Sequence, residues 1–310
     1  VDEKHIPYDH IIVSSFDVDT IVHPQYFAYL TYVWAESPDR LCVSYQPVAL
    51  YNNNIWESNP VVRVASFGTT FWLLTDLARP ERLFTFSSQS MSWQMLVDVG
   101  FWERTIVTED SRVFLQGLIR YDGAYRVQPL YLPVSMNTVM VDSHVRSLIN
   151  LYKQQRRWAW GVEHLPFMIW NFFFVKNHIA FKTKLHYIWN LGEGMYSWAT
   201  APIIIFILGY LPLMSAGADL QNSALYHNTP AVLEILLRLS MVGIFLSATL
   251  SLLLLPPRPD KKHPIKIAWL LLQWAMLPVT LILFGSIPAI DAQTRLMIGK
   301  PLGFWVTEKK

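Results

Sequence analysis

Apolar and polar positions are laid out differently in the two halves of this 310-residue chain. Up to about residue 185, charged residues interleave with short apolar runs, as in a packed α/β domain. Beyond it come three long stretches almost without charge. Residues 196–214, YSWATAPIIIFILGYLPLM, have none; 232–255 carry Glu234 and Arg238 near their start; 267–290 again have none. Each is close to the ~20 residues a helix needs to cross a hydrocarbon core. Pro256-Pro257-Arg258-Pro259 stops the second sharply. The shorter stretch 165–181, LPFMIWNFFFVKNHIAF, is rich in aromatics and predicts a helix lying in the bilayer interface.

In the first half, HIIVSSF (10–16) predicts a strand, and a helical pattern follows over 24–34 with Pro24 near its start. Residues 41–45 predict a second strand, and helical patterns recur over 93–99, 111–119 and 143–160. Strands alternating with helices point to a mostly parallel sheet. Ligands bind beyond the carboxyl ends of such strands, which is where Asp17 and Asp19 fall.

Charge and cysteine content narrow the class. Only 15% of residues are charged, against about 25% in soluble domains, so the apolar excess belongs to membrane segments. A net charge of +2 leaves no polycation to attract nucleic acid. The single cysteine, Cys42, rules out an intramolecular disulfide and suits a reducing, cytosolic face. Lys176, Lys182 and Lys184 precede the first span, and Arg258, Lys261, Lys262 and Lys266 separate the second and third, while 215–230 has no Lys or Arg. The first half and the 256–266 loop are therefore expected in the cytoplasm. Three crossings would leave Arg295, Lys300, Lys309 and Lys310 outside. Either the third segment is re-entrant, with Pro278 and Pro288 as its breaks, or the tail departs from the rule. The tail itself reads as a basic, amphipathic interfacial segment.

Three constellations could carry chemistry. Asp17-Val18-Asp19 follows a strand, and carboxylates at i, i+2 in a turn can share one hard divalent cation, although turn and cap duty is the commoner role of such residues. Thr108-Glu109-Asp110 opens a helix: the acids complement the helix dipole, and one of them could take a proton from an attacking hydroxyl. Gln154-Gln155-Arg156-Arg157-Trp158 suits either an anchor on anionic lipid or a phosphate site with a stacking face. His5, His10 and His23 lack metal-ligand spacing, and Glu193 and Glu234 fit interfacial positions.

Taken in order, DVD (17–19), TED (108–110) and QQRRW (154–158), followed by apolar spans, resemble membrane-integrated family 2 glycosyltransferases, the group of cellulose, chitin and hyaluronan synthases and ceramide glucosyltransferases. VSYQPVALYNNN (43–54) is similar to the stretch that follows Asp-x-Asp in the synthases, and FSSQSMSWQMLVDVGFW (86–102) to the loop and helix leading into a Val-Gly-Gly-Phe-like turn. The resemblance implies a GT-A fold and inverting transfer from a nucleotide-diphosphate sugar, with a UDP-sugar as the expected donor, to a glycan or lipid acceptor. It implies Mg²⁺ or Mn²⁺ held by Asp17 and Asp19, and Asp110 as catalytic base with Glu109 beside it. Gln154 and Arg157 would touch the diphosphate, and Trp158 would border the acceptor. With Val1 in first position the chain reads as lacking its natural N-terminus, and the family's first nucleoside-gripping strand has no counterpart. The donor pocket is then incomplete and the chain alone poorly active.

The expected organisation is a partial α/β GT-A-type domain (1–163), an interfacial segment (164–185), about three transmembrane helices (186–292) and a basic tail (293–310). A multi-pass plasma-membrane protein with a cytoplasmic catalytic domain follows. Two alternatives remain: a transferase adding one sugar to a membrane lipid, and a non-catalytic transporter or scaffold subunit.

Overall fold

A computed structural model describes residues 4–215, 224–257, 267–303 and 305–309. Five strands, β1 (Ile12–Ser15), β2 (Ile21–Val22), β3 (Val43–Tyr51), β4 (Gln89–Ser92) and β5 (Arg126–Met136), form one sheet in the order β1-β4-β3-β5-β2. Only β3 and β5 run parallel, with Val43 opposite Arg126 and Tyr51 opposite Met136. The other three pairings are antiparallel, so the expected mostly parallel sheet is corrected to a mixed one. The physical reason lies in 86–91, expected as a loop. The chain returns through 83–88 to the sheet margin that β3 left, and β4 therefore enters in the opposite direction. Alternation of elements does not encode where a connection delivers the chain.

The sheet is curled, and the chain length proves it. β1 and β2 are its two outer strands, yet only residues 16–20 separate them. Four inter-strand spacings amount to ~19 Å, about the full stretch of that link. The link is not stretched: the Thr20 amide donates to the Asp17 carbonyl at 2.9 Å in a turn. Curling brings the outer strands towards each other and lays Asp17–Asp19 across the carboxyl ends of β3 and β5.

Side-chain alternation along β3 divides the core. Val43, Tyr45 and Ala49 face Leu30, Leu130 and Val134 in one cluster with α1 (Tyr26–Glu36). Val48 faces the other cluster, where Met91, Phe114 and Leu118 meet α3 (Trp93–Val99) and α4 (Glu109–Arg120). Ser44 lies on that same face, its hydroxyl 2.7 Å from that of Tyr125. Between β3 and β4 runs α2 (Pro60–Leu77), an element the pattern did not predict; Asn59 caps it and Pro60 supplies its first turn. Ser92 caps α3, which stops at Gly100 in the left-handed conformation (φ 78°) that glycine adopts without a Cβ clash.

α5 (His144–Ala159) begins at the Ser143 cap and passes through the 3₁₀ turn Trp160–Glu163 into α6 (His164–Phe173). α6 buries Met168 and Phe172 against the α/β core and exposes Trp170, Phe173 and Phe174, a one-sided helix of the expected kind.

α7 (Phe181–Ser215) and α8 (Ala224–Leu253) follow. The last helical run, 267–297, consists of α9 (Ile267–Leu272), a 3₁₀ turn, α10 (Leu277–Leu281), a π-helical turn (Ile282–Ser286) and α11 (Ile287–Met297). Among the described residues, two stretches are long and apolar enough to cross a membrane, Glu234–Leu253 and Trp269–Met297, and only 12% and 28% of their most apolar windows are buried within the protein. The first expected span lies within α7, with the side chains of 208–215 outside the described set, as are 216–223 and the basic 258–266. Glu193 pairs with Arg82 at 3.0 Å, which ties α7 to the turn before β4.

Candidate functional site

The turn after β1 places Asp17 and Asp19 side by side with the ends of β3 and β5. The Asp19 carboxylate accepts from the Asn137 amide at 3.0 Å, and its carbonyl accepts from Asn53 Nδ2 at 3.1 Å. Asn53 also donates to Asn137 Oδ1 at 3.0 Å. The YNNN run after β3 is thus a polar bracket for the aspartate turn, a role its composition did not announce.

Lys309 occupies the cation position at this turn. Its ammonium lies 2.8 Å from Asp19 Oδ2, with both side chains largely buried (15% and 13% exposed). The tail is held along α5: Lys153 Nζ lies 4.9 Å from the Trp305 ring centre, and Asn150 Nδ2 donates to the Glu308 carbonyl at 3.4 Å. Lys309 of the tail thus meets the carboxylate at the sheet, where a partly desolvated acid attracts an ammonium more strongly than it would in water.

Asp110 sits in the first turn of α4. Its backbone carbonyl accepts from Thr85 Oγ1 at 2.6 Å and from Gln89 Nε2 at 2.8 Å. Protein packed around the carboxyl excludes most water, although its rim is not sealed, and this pushes its pKa up to about 7. The neighbouring Glu109 and Asp17 raise it further, while Arg157 opposes them. Glu109 is raised too, chiefly by burial, and its Oε2 is buried with no hydrogen-bond partner among the described residues.

Tyr51, at the end of β3, is the centre of the cluster and was missed in the sequence. Burial raises its phenol, and the charges that act on it are Asp17, Asp19, Arg157 and Asp110. Its ring lies 5.9 Å from that of Trp158 on α5. The charge of Arg157 acts on Tyr51, Glu109 and Asp110, and its buried Nε has no partner among the described residues. Gln154 is buried one turn earlier on α5 (3% exposed). Arg156 and Trp160, on either side of Arg157 and Trp158, are engaged elsewhere. Arg156 pairs with Asp291 at 2.8 Å, and Trp160 is buried with its indole donating to Glu163 Oε2 at 2.9 Å.

No group of three or more His, Cys, Asp or Glu side chains capable of holding a metal exists among the described residues. At the aspartate turn two carboxylates are present, and one of them already takes the Lys309 ammonium. Compared with known proteins, the chain matches no family model and no curated protein. Fold and site geometry are what bear on function.

Proposed function

We propose that this chain belongs to an inverting glycosyltransferase of the family 2 kind, with a GT-A-type α/β domain on the cytoplasmic face of a multi-pass membrane region. The observation that carries the reading is the gathering of Asp17, Asp19, Asp110 and Arg157 around Tyr51, beyond the carboxyl ends of the strands. Asp17 and Asp19 would hold Mg²⁺ or Mn²⁺, which when bound neutralises a diphosphate leaving group. Arg157, with its unpaired guanidinium nitrogen, supplies a second charge for the same diphosphate, and Gln154 lies beside it. Trp158 and Tyr51 offer an aromatic wall for the acceptor. An acceptor hydroxyl attacks the anomeric carbon, its proton passes to Asp110, and the nucleoside diphosphate departs with the bonding pair. One displacement inverts the centre. A base titrating at about 7 is matched to that proton transfer near neutral pH.

The test is transfer from UDP-glucose, UDP-galactose or UDP-N-acetylglucosamine with Mn²⁺ by the full-length protein in detergent, alongside UDP binding. Asp110→Asn is expected to abolish transfer and leave UDP binding intact. Unchanged turnover removes Asp110 as base, and neither binding nor transfer by the wild type sinks the reading in favour of a transporter or scaffold subunit. Product length separates a polymerising enzyme from one that adds a single sugar to lipid.

A further inference from the structure

Directly behind the Thr108-Glu109-Asp110 turn lies a buried polar cluster that the proposed chemistry does not use. Thr108 is the N-cap residue of α4, and a threonine there ordinarily accepts a hydrogen bond from an amide of its own first turn. It does not: no side-chain cap bond forms, and the Thr108 hydroxyl donates instead to Glu163 Oε1. The second oxygen of Glu163 takes the Trp160 indole N–H at 2.9 Å. His164, the next residue, reaches the same turn from the other side. Its Nε2 lies 2.7 Å from Ser111 Oγ, and its Nδ1 accepts from Arg112 Nε at 3.2 Å. Arginine stays protonated and can only donate. Nδ1 is therefore the acceptor and Nε2 carries the hydrogen.

The bonds then run in one direction, from Arg112 to His164, from His164 to Ser111, and from the Ser111 hydroxyl to the Thr108 carbonyl at 3.3 Å. Burial and the Arg112 charge push His164 down to about 3, so this tautomer holds across the working pH range. Arg112 is itself fixed, its guanidinium carbon 3.7 Å from the Phe167 ring centre and its Nη1 3.6 Å from Glu103.

Packing of α4 on α6 alone would need only apolar contacts, which Phe172 and Phe114 already supply in the shared core. Directed bonds to both the side chain and the carbonyl of Thr108 do something else: they fix the rotation of the first turn of α4. Thr85 and Gln89 hold the same turn from the sheet side through the Asp110 carbonyl. Glu163 and His164 also continue the chain from α5 without a break, so the grip sets α4 against the helix that carries Gln154, Arg157 and Trp158. We infer that Glu163 and His164 are positioning residues, which hold the turn bearing Asp110 at a fixed distance from the Gln154–Trp158 face through Thr108 and Ser111. The inference rests on Asp110 being the base.

Thr108→Val keeps the shape and removes the hydroxyl, Thr108→Ser keeps the hydroxyl, and Glu163→Gln keeps the shape but leaves one acceptor where the Thr108 hydroxyl and the Trp160 N–H had two. In the full chain in detergent, with UDP-sugar and Mn²⁺ as above, T108V and E163Q are each expected to lower kcat about 10- to 100-fold, as a misplaced base does. Donor KM should stay within about twofold, T108S should retain activity, and the double variant should be no slower than the worse single, because the two removals break one interaction. Losses that multiply in the double variant, or kcat within about twofold of wild type in both singles, overturn the inference. A second readout does not need turnover: exchange of the Arg112 amide, bonded to the Thr108 carbonyl at 3.1 Å, should quicken in both variants. Unchanged exchange overturns the grip even if no sugar is transferred, whereas quickened exchange in a chain that never transfers sugar upholds the grip and removes only the catalytic reading. Should E163Q fail to fold, T108V carries both measurements.

Discussion

At the residue scale, Asp110 sets function against stability. A carboxyl whose folded pKa lies near about 7 binds more protons when folded than when unfolded, since an unfolded Asp titrates near about 4. Stability therefore falls as pH rises through that window, and the contribution present at pH 4 is gone above 7. If Asp110 is the base of the proposed transfer, activity runs the other way, because only the ionised carboxylate accepts a proton, and it should fall on the acid side of about 7. Asp110→Asn removes the cost of ionising this group. It is expected to raise the melting temperature clearly at pH 8 and much less at pH 5, while abolishing transfer at both. A lower melting temperature at pH 8 would show that the carboxylate stabilises the fold instead.

At the element scale, the tail from Trp305 to Lys309 competes for the Asp17–Asp19 turn. If Asp19 takes a divalent cation, the Lys309 ammonium at 2.8 Å must leave first. Lys309→Met is then expected to tighten Mn²⁺ binding several-fold at low salt and less at high salt, measured by titration of the full chain. Equal affinity in the two proteins would mean that the cation sits elsewhere. This element also shows what was legible in the sequence. α3 matches its pattern residue for residue, and α1 and α5 match theirs closely, because apolar spacing and, for α3 and α5, the serine caps are local signals. β4 and β5 were not read: QSMS is short and mostly polar, and RVQPLYLPVSM, although apolar at 130, 132, 134 and 136, carries two prolines that argue against a strand inside a sheet; pairing with β3 makes both strands. Lys309 on Asp19, 290 positions apart, had no local signal at all. The same holds for Tyr51: only the direction of the β3 end, fixed by the β5 pairing, brings it among the acids.

At the scale of the whole molecule, the α/β domain and the apolar helices are joined by buried polar contacts rather than by grease alone. Arg63 on α2 donates to the carbonyls of Ile55 and Ser58 and, through Nη1, to Gln273 Oε1 at 3.1 Å in the last helical run. Asn52 Nδ2 donates to the Leu254 carbonyl at 3.2 Å, from the segment that brackets the aspartate turn. The loop after β3 is thus fastened to both apolar stretches. Gln273→Ala leaves one buried guanidinium donor unanswered and should cost about 1–3 kcal/mol, read as a lower melting temperature in mild detergent. The loss is expected at the junction, with faster amide exchange over 52–58 and no change over α1, which packs on β3 and β5.

The short link between β1 and β2 has a consequence for how the site tolerates change. Because residues 16–20 close the arc of the sheet, they act as a clasp whose length sets the gauge of the two aspartates. The same two acids on a slacker clasp would still be present, yet no longer registered against Asn53 and Asn137. A single glycine inserted after Val18 should therefore leave the melting temperature within a few degrees, since neither core cluster draws on residues 17–20. Mn²⁺ affinity should collapse all the same. An insertion mutant that binds Mn²⁺ as well as the wild type would show that the aspartates are set by their own turn and owe nothing to the closure of the sheet.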